Sequence, residues 1–208
     1  GEASGQVAGF AVATGHFLPL VCTLNAARVL TATADLLGVD MDGFARLALS
    51  AQPGSGGLVL LPYLDGERTP NLPDARGSLH GITRENLTSA NIARAAVEGM
   101  LGGLAEAVDA LVAVGVEPAR VLLVGGAAAN PAVGAVAATV FPVPVVVPPP
   151  GEYVADGAAR QAAWVHSGDA EPPTWAAARD GSTRTIDPTP MPHVRTAYAQ
   201  ARTALHGV

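Results

Sequence analysis

Residues 121–130 read VLLVGGAAAN and predict a buried strand that turns sharply into a helix. The apolar, β-branched run ends at Gly125 and Gly126, and small residues then lead through Pro131 into a helix-like segment. Such a turn is a common site for phosphate or nucleotide, because a helix N-terminus leaves N–H groups unpaired, its dipole is positive there, and glycine lets a ligand approach the backbone. The alternative is a glycine turn that only redirects the chain and binds no ligand. The surrounding sequence has to distinguish a binding turn from such a structural turn.

Strands and helices alternate on both sides of this turn. Strands are predicted at residues 6–12 and 16–21, which form a hairpin, and at 58–61, 121–124 and 143–147. Apolar residues at helical spacing predict helices over residues 23–37, 42–51, 90–114, 131–140, 155–166 and 190–205. Residues 62–77, 167–174 and 178–183 are predicted to be loops. This order indicates an α/β layered domain.

The ends of two predicted helices carry clear signals. Thr23 is a candidate N-cap for the first helix, and Gly38 follows it as a C-cap. Thr88 or Ser89 caps the longest helix, which Gly115 stops. That helix also contains Gly99, Gly102 and Gly103, each of which costs about 1 kcal/mol relative to alanine. We therefore expect another part of the backbone to pack closely against this turn.

Composition excludes several classes of function. The net charge is −6, so the positive surface expected of a nucleic-acid-binding protein is missing. All 12 basic residues are arginine, which excludes a P-loop lysine, a Schiff-base lysine and a lysine general base within this chain.

The single cysteine, Cys22, excludes a disulfide within the chain and a cysteine zinc cluster, and it suits a reducing, cytoplasmic environment. No other ligand lies at a suitable spacing from His16 and Cys22, so no metal site is predicted. No apolar run reaches the length of a membrane span, and we expect no membrane partner. The chain starts with Gly1 and not with methionine, so we interpret it as a piece of a longer protein.

One long pattern resembles a family signature. Residues 77–98, GSLHGITRENLTSANIARAAVE, are similar to the second signature of the FGGY family of carbohydrate kinases. The matching positions are Gly77, Leu79, Gly81, Ile82, Asn91, Ile92, Ala95, Ala96, Val97 and Glu98.

Three further stretches extend the resemblance over nearly the whole chain. Residues 62–77, PYLDGERTPNLPDARG, resemble a stretch of the xylulokinase branch of that family, with Asp65 in place of a serine. VLLVGGAAANP resembles the family's Gly-Gly-Gly-Ala nucleotide motif, with Ala127 in place of the third glycine. EYVADGAARQAA resembles the start of the family's closing helix.

The resemblance implies a fold and an activity. It implies an RNase H-like lobe of the actin/Hsp70 ATPase fold, a mixed sheet flanked by helices, in which residues 1–208 are the C-terminal nucleotide-binding lobe. This lobe would bind ATP or ADP with Mg²⁺ and form one wall of a cleft. The general-base aspartate and most of the sugar pocket would lie in an N-terminal lobe absent from this chain. The implied reaction is ATP-dependent phosphorylation of D-xylulose, a ketopentose, to D-xylulose 5-phosphate, with this chain alone inactive and a homodimer left open.

The resemblance also implies site residues. Gly125, Gly126, Ala127 and Asn130 would contact the nucleotide, the last because related glycerol kinases use an asparagine at this spacing to contact adenine. Gly157, Asn25 and Arg28 are further candidates for the nucleotide. Asp65, Glu67 and Arg68 would lie at the edge of the cleft.

Alternatives stay open for most of these residues. Gly157 could serve close packing of a helix on the sheet, and an arginine–carboxylate pair could simply pin the loop that contains Asp65, Glu67 and Arg68. The enzyme could instead act on ribulose, gluconate or glycerol. A third alternative is a non-catalytic, actin-like nucleotide-binding module.

Overall fold

The structure, a computed structural model, describes residues 5–174 and 183–207. Its helices are α1 (Ala27–Leu37), α2 (Met41–Ser50), α3 (Ser89–Ala113), α4 (Pro131–Val140), α5 (Tyr153–Ser167) and α6 (Pro192–His206). Its strands are β1 (Ala8–Ala11), β2 (Phe17–Leu20), β3 (Val59–Leu61), β4 (Ser78–His80), β5 (Val121–Leu122), β6 (Val145–Val147) and β7 (Arg184–Ile186). Short 3₁₀ turns lie at Ser55–Gly57 and Gly126–Ala129.

The described strands form three small sheets. β1 pairs with β2 and β3 pairs with β4, both antiparallel. β5, β6 and β7 form a mixed sheet with β6 in the middle, parallel to β5 and antiparallel to β7. The order of elements confirms the α/β prediction, and the predicted mixed sheet corresponds to β5–β6–β7. β4 and β7 were not predicted, because each has only three residues and depends on a neighbouring strand for its hydrogen bonds.

The main core joins the first four helices to the mixed sheet. Phe44 of α2, Leu101 of α3 and Val136 of α4 are almost fully buried in it, together with Val145 of β6. A smaller cluster packs Tyr198 and Ala201 of α6 against Leu61 of β3. The core therefore holds β5 and β6, and the turns at their ends, against α3 and α4.

Among the predicted signals at helix ends, Gly38 and Thr88 were right and Thr23 was wrong. Gly38 ends α1 in the left-handed conformation, with φ at 67°. The Thr88 side chain accepts a hydrogen bond from the Asn91 N–H at 3.2 Å and so caps α3. Thr23 does not cap α1, which begins at Ala27 without a side-chain cap.

The glycines of α3 confirm the expectation of close packing. A Cβ atom on Gly99 would lie 2.3 Å from the backbone oxygen of Leu60 in β3. At Gly102 the neighbour is a side chain and not backbone, because a Cβ atom there would lie 2.8 Å from the Tyr198 ring of α6. Helix α3 thus approaches β3 and α6 more closely than an alanine would allow.

Hydrophobic side chains of the β1–β2 hairpin are largely exposed, among them Phe10 and Phe17. In the part of the chain that the structure describes, no helix combines the length and apolar character needed to cross a bilayer. Most of the predicted loop at 178–183 lies outside the described residues.

Candidate functional site

A cavity of about 380 Å³ opens where the parallel strands β5 and β6 end. Val121 and Leu122 pair with Val145 and Val146, and the Leu123 N–H extends the ladder by donating to the Val146 carbonyl at 2.9 Å. The cavity is lined by Leu123, Val124, Gly125, Gly126, Ala128, Ala129, Val147, Pro148, Pro149, Pro150, Gly151, Glu152, Tyr153 and Arg184. Ligands of open α/β sheets bind outside the carboxyl ends of the strands, which is where this cavity lies.

Gly125 and Gly126 line this cavity and have room around them. Gly125 has φ at 96°, a backbone conformation that residues with a side chain rarely adopt. Its carbonyl accepts a hydrogen bond from the Ala128 N–H at 3.1 Å. A Cβ atom on either glycine would meet no heavy atom within 4 Å. Packing therefore does not explain Gly126, and open space lies beside the backbone N–H groups at the start of the turn.

Ala127 and Asn130 do not line the cavity. Ala127 packs against the core on the other side of the turn. The buried Asn130 side chain caps α4 by accepting from the Ala132 N–H at 3.0 Å, and it donates to the Met41 carbonyl at 3.3 Å. Its amide thus joins α4 to α2, and the expected contact of Asn130 with adenine stays a prediction.

The opposite wall is the segment that enters α5. Prolines 148–150 follow β6, and the Tyr153 hydroxyl donates to the Pro149 carbonyl at 2.5 Å, which ties the start of α5 to this segment. Gly157 lies one turn further along α5, on an exposed face with Gln161 and Val165. A Cβ atom on Gly157 would meet nothing within 4 Å, so it neither packs on the sheet nor lines the cavity at Gly125.

Arg184 also lines the cavity, although its sequence context does not predict a site residue. It lies on β7 directly opposite Val147, the last residue of β6. The only local signal is the short run Arg-Thr-Ile, which is too short to indicate a strand or its position beside β6.

Among the residues predicted at the cleft edge, Glu67 forms hydrogen bonds that hold the loop at 62–77 in place. Glu67 is 4% exposed, and its Oε1 accepts from the backbone N–H groups of Leu24 and Arg68, each at 2.8 Å. Its Oε2 accepts from Asn25 Nδ2 at 2.9 Å, and the same amide group donates to the Gly66 carbonyl at 2.6 Å. Asn25 and Glu67 thus connect the loop to the segment before α1, and neither lines the cavity.

The predicted arginine–carboxylate pair exists, but it joins Arg28 to Asp65 and does not involve Arg68. Arg28 Nη1 lies 3.5 Å from Asp65 Oδ2, and both side chains are exposed. Arg68 is exposed and contacts Glu67 through its backbone. Arg28 of α1 and the loop residues Asp65 and Arg68 are exposed and do not line the cavity.

A larger cavity, of about 750 Å³, lies between α3 and α6. Its carboxylates already have cationic partners, because Arg195 pairs with Asp109 and Arg202 Nε lies 3.1 Å from Glu106 Oε1. Burial raises the pKa of Glu106, and the nearby Arg202 opposes this increase. Since these charges are paired across two helices, this cavity is better explained as the junction of α6 with α3.

Within the described residues, no group of three or more His, Cys, Asp or Glu side chains is arranged to hold a metal ion. The chemistry that the cavity offers is therefore that of backbone N–H groups, a tyrosine, one carboxylate and one arginine.

Comparisons with known proteins agree on a family. The sequence profile of the FGGY family of carbohydrate kinases, C-terminal domain, matches residues 4–166. A xylulose kinase of Streptomyces coelicolor is 40% identical over 169 residues, which are 81% of this chain and 33% of that protein. A gluconokinase of Bacillus subtilis is 43% identical over 74 residues, which are 35% of this chain and 14% of that protein.

A solved structure gives the same result for the fold. The xylulose kinase of Bifidobacterium adolescentis superposes with a TM-score of 0.82 and 46% identity, over 97% of this chain and 39% of that one. The expected actin/Hsp70-type fold is thereby confirmed. This chain spans about a third of the length of the curated xylulose kinases that it matches. The chain belongs to the FGGY family of carbohydrate kinases, by a match to the C-terminal domain of that family.

Proposed function

We propose that this chain is the nucleotide-binding lobe of an ATP-dependent xylulose kinase. One observation carries the proposal: the Gly125–Gly126 turn opens into a cavity at the ends of β5 and β6, with no atom within 4 Å of a Cβ atom on either glycine. The similarity to xylulose kinases over most of the chain supports the choice of substrate.

The residues that line the cavity fit a nucleotide. The N–H groups of the turn would donate to the nucleotide, and the open space would let it lie against the backbone. The proline segment and the start of α5 would form the other wall. Mg²⁺ would arrive on the ATP phosphates, because this ion commonly keeps few protein ligands and binds through substrate phosphates.

In the proposed reaction, the γ-phosphoryl group of ATP passes to a primary hydroxyl of D-xylulose. Such transfer depends on the position of the two substrates and on neutralising negative charge. This lobe would hold the nucleotide and form one wall of the cleft, while a further lobe would supply the general-base aspartate and most of the sugar pocket. The proposal places the enzyme in the cytoplasm, where ATP is available and Cys22 stays reduced.

An assay of ADP release by the intact kinase, tested with a panel of sugars, checks this proposal. We expect turnover with D-xylulose, and its absence would contradict the proposed substrate. Gluconate belongs in the panel because of the similarity to the gluconokinase of Bacillus subtilis. The 208-residue chain alone should transfer no phosphoryl group to any sugar, and nucleotide binding without turnover by the intact protein would favour the non-catalytic module.

The position of the nucleotide is tested by Gly126→Val. We expect this variant to raise the KM for ATP much more than the KM for the sugar, because the new side chain would fill the space beside the turn. Gly9→Val is the matched control, since Gly9 also has open space around its Cβ position but lies on β1. Equal effects of Gly126→Val on the two KM values would place the nucleotide elsewhere.

A further inference from the structure

Arg184 occupies a specific position relative to the proposed nucleotide site. Its strand, β7, runs antiparallel to β6, and the pairing of Val147 with Arg184 brings the arginine to the carboxyl end of β6. The same end of the sheet carries the Gly125–Gly126 turn, and all three residues line one cavity. A residue 58 positions further along the chain than Gly126 is thus brought to the site by strand pairing.

Unlike three arginines of α3 and α6, Arg184 has no partner among the described residues. Arg94, Arg195 and Arg202 each pair with a carboxylate of α3. Among the described residues, the Arg184 guanidinium has no hydrogen-bond or ion-pair partner and is exposed. It is also the only basic residue of the described chain that lines this cavity.

A cation at this position would offset the negative charge of the nucleotide phosphates. The chain has a net charge of −6 and no lysine, and the cavity itself contains the carboxylate of Glu152. A nucleotide with anionic phosphates would therefore meet mainly negative charge unless a cation lay beside it. The planar guanidinium group of arginine presents several N–H donors that match two phosphate oxygens at once.

We propose that Arg184 binds a phosphate group of the nucleotide that occupies the Gly125–Gly126 cavity. This inference rests on the proposed function, and it adds a side-chain contact from β7 to the backbone contacts of the turn. Arg184 lies outside residues 4–166, which the family profile matches, so it is a contact that the profile does not describe.

Isothermal titration calorimetry of the 208-residue chain with ADP, AMP and adenosine tests the inference. We expect Arg184→Ala to weaken ADP binding about tenfold and to leave adenosine binding unchanged, because a charge-assisted hydrogen bond to phosphate is lost. Arg184→Lys should recover part of the affinity, since it keeps the charge and loses the planar donor group. A loss shared by AMP would assign the contact to the α-phosphate, and a loss for ADP alone would assign it to the β-phosphate; both results support the proposal.

Arg120→Ala is the matched control. Arg120 is exposed and immediately precedes β5, so its removal takes the same charge from the opposite end of the same sheet. We expect it to leave ADP binding unchanged. An equal loss in both variants would mean that general charge and not contact is responsible, and it would overturn the inference.

The remaining outcomes separate this inference from the proposed function. If Gly126→Val abolishes ADP binding but Arg184→Ala does not weaken it, the site stands and the role of Arg184 is wrong. If Arg184→Ala weakens adenosine as much as ADP, the contact is to the base or ribose and the phosphate assignment is overturned. If the folded wild-type chain binds no ADP, both proposals fail.

Discussion

Helices α3 and α5 show two different ways in which this chain holds a helix. Twelve of the 25 residues of α3 are buried, including a charged pair, Arg94 and Glu98. None of the 15 residues of α5 is buried, and Val154 and Val165 are 89% and 79% exposed. α5 is instead tied at its ends, by the Tyr153 hydroxyl at one and by Trp164 Nε1, which donates to the Asp169 carbonyl, at the other. Helix α3 is held by the packing of its buried residues. The start of α5, by contrast, forms part of the cavity wall through Tyr153.

The glycines of α3 are tightly packed, whereas those of α5 and of the Gly125–Gly126 turn are not. In α3, Gly99 and Gly102 are required because a Cβ atom would overlap Leu60 or Tyr198. Gly125, Gly126 and Gly157 have open space around them. Of these three, Gly125 is explained by its backbone conformation, with φ at 96°, whereas no packing contact explains Gly126 or Gly157.

Among variants that test the difference between α3 and α5, Glu98→Ala in α3 is expected to lower the free energy of unfolding most. Glu98 accepts from Arg94 Nε at 2.7 Å, from the Gly54 N–H at 2.9 Å and from Ser55 Oγ at 3.1 Å. Its removal leaves the buried charge of Arg94 without a partner, which costs about 3–5 kcal/mol in free energy of unfolding, measured with urea.

Asp65→Ala is the control for Glu98→Ala. It removes the exposed partner of Arg28, and such surface pairs contribute less than about 1 kcal/mol. Equal losses in the two variants would mean that the burial of the Arg94–Glu98 pair has no energetic consequence.

Gly99→Ala should have the next largest effect. The added methyl group would lie 2.3 Å from the Leu60 oxygen, so α3 must move away from β3. We expect a loss of about 2 kcal/mol in free energy of unfolding, because overpacking outweighs the gain in helix propensity. Urea unfolding measures it, and a stabilised variant would show that α3 and β3 are not in close contact.

Gly157→Ala in α5 is the same substitution with the opposite expected sign. Its Cβ atom would meet nothing within 4 Å, so only the gain in helix propensity remains. We expect an increase of about 0.5–1 kcal/mol in stability, measured by thermal unfolding followed by circular dichroism. A loss of stability would mean that this face of α5 is covered in solution.

The smallest effect concerns the pH dependence of Glu106 in α3. Burial raises the pKa of this carboxyl above its ordinary value of 4.5 in the folded state, so folding favours its protonated form. Its contribution to stability is therefore full below pH 4.5 and is lost as the pH rises through the raised pKa.

Glu106→Gln removes this titration and serves as the reference for the wild type. The free energy of unfolding of the wild type minus that of the variant should fall over the pH interval that begins at 4.5 and extends through the raised pKa. An increase over this interval would mean that attraction to Arg202 outweighs burial.

Local signals predicted the helices better than their ends. Gly38 and Thr88 were right because a C-cap glycine and an N-cap threonine act within one turn of their own helix. Thr23 was wrong because Glu67, more than 40 positions away, holds the Leu24 N–H and the Asn25 side chain outside the helix. The sequence around Thr23 does not indicate that a carboxylate so far along the chain binds there.

The candidate site divides in the same way. The sequence by itself determined the Gly125–Gly126 turn, because a β-branched run, two glycines and a helix start are contiguous, and it determined the family through motifs of fixed spacing. Only the tertiary structure decided that Asn130 caps α4 and contacts Met41, that Asn25 and Glu67 join the segment before α1 to the loop, and that Arg184 lies opposite Val147. The physical reason is that these contacts join residues far apart in the chain, and their partners are chosen by packing and strand pairing, to which local sequence patterns do not extend.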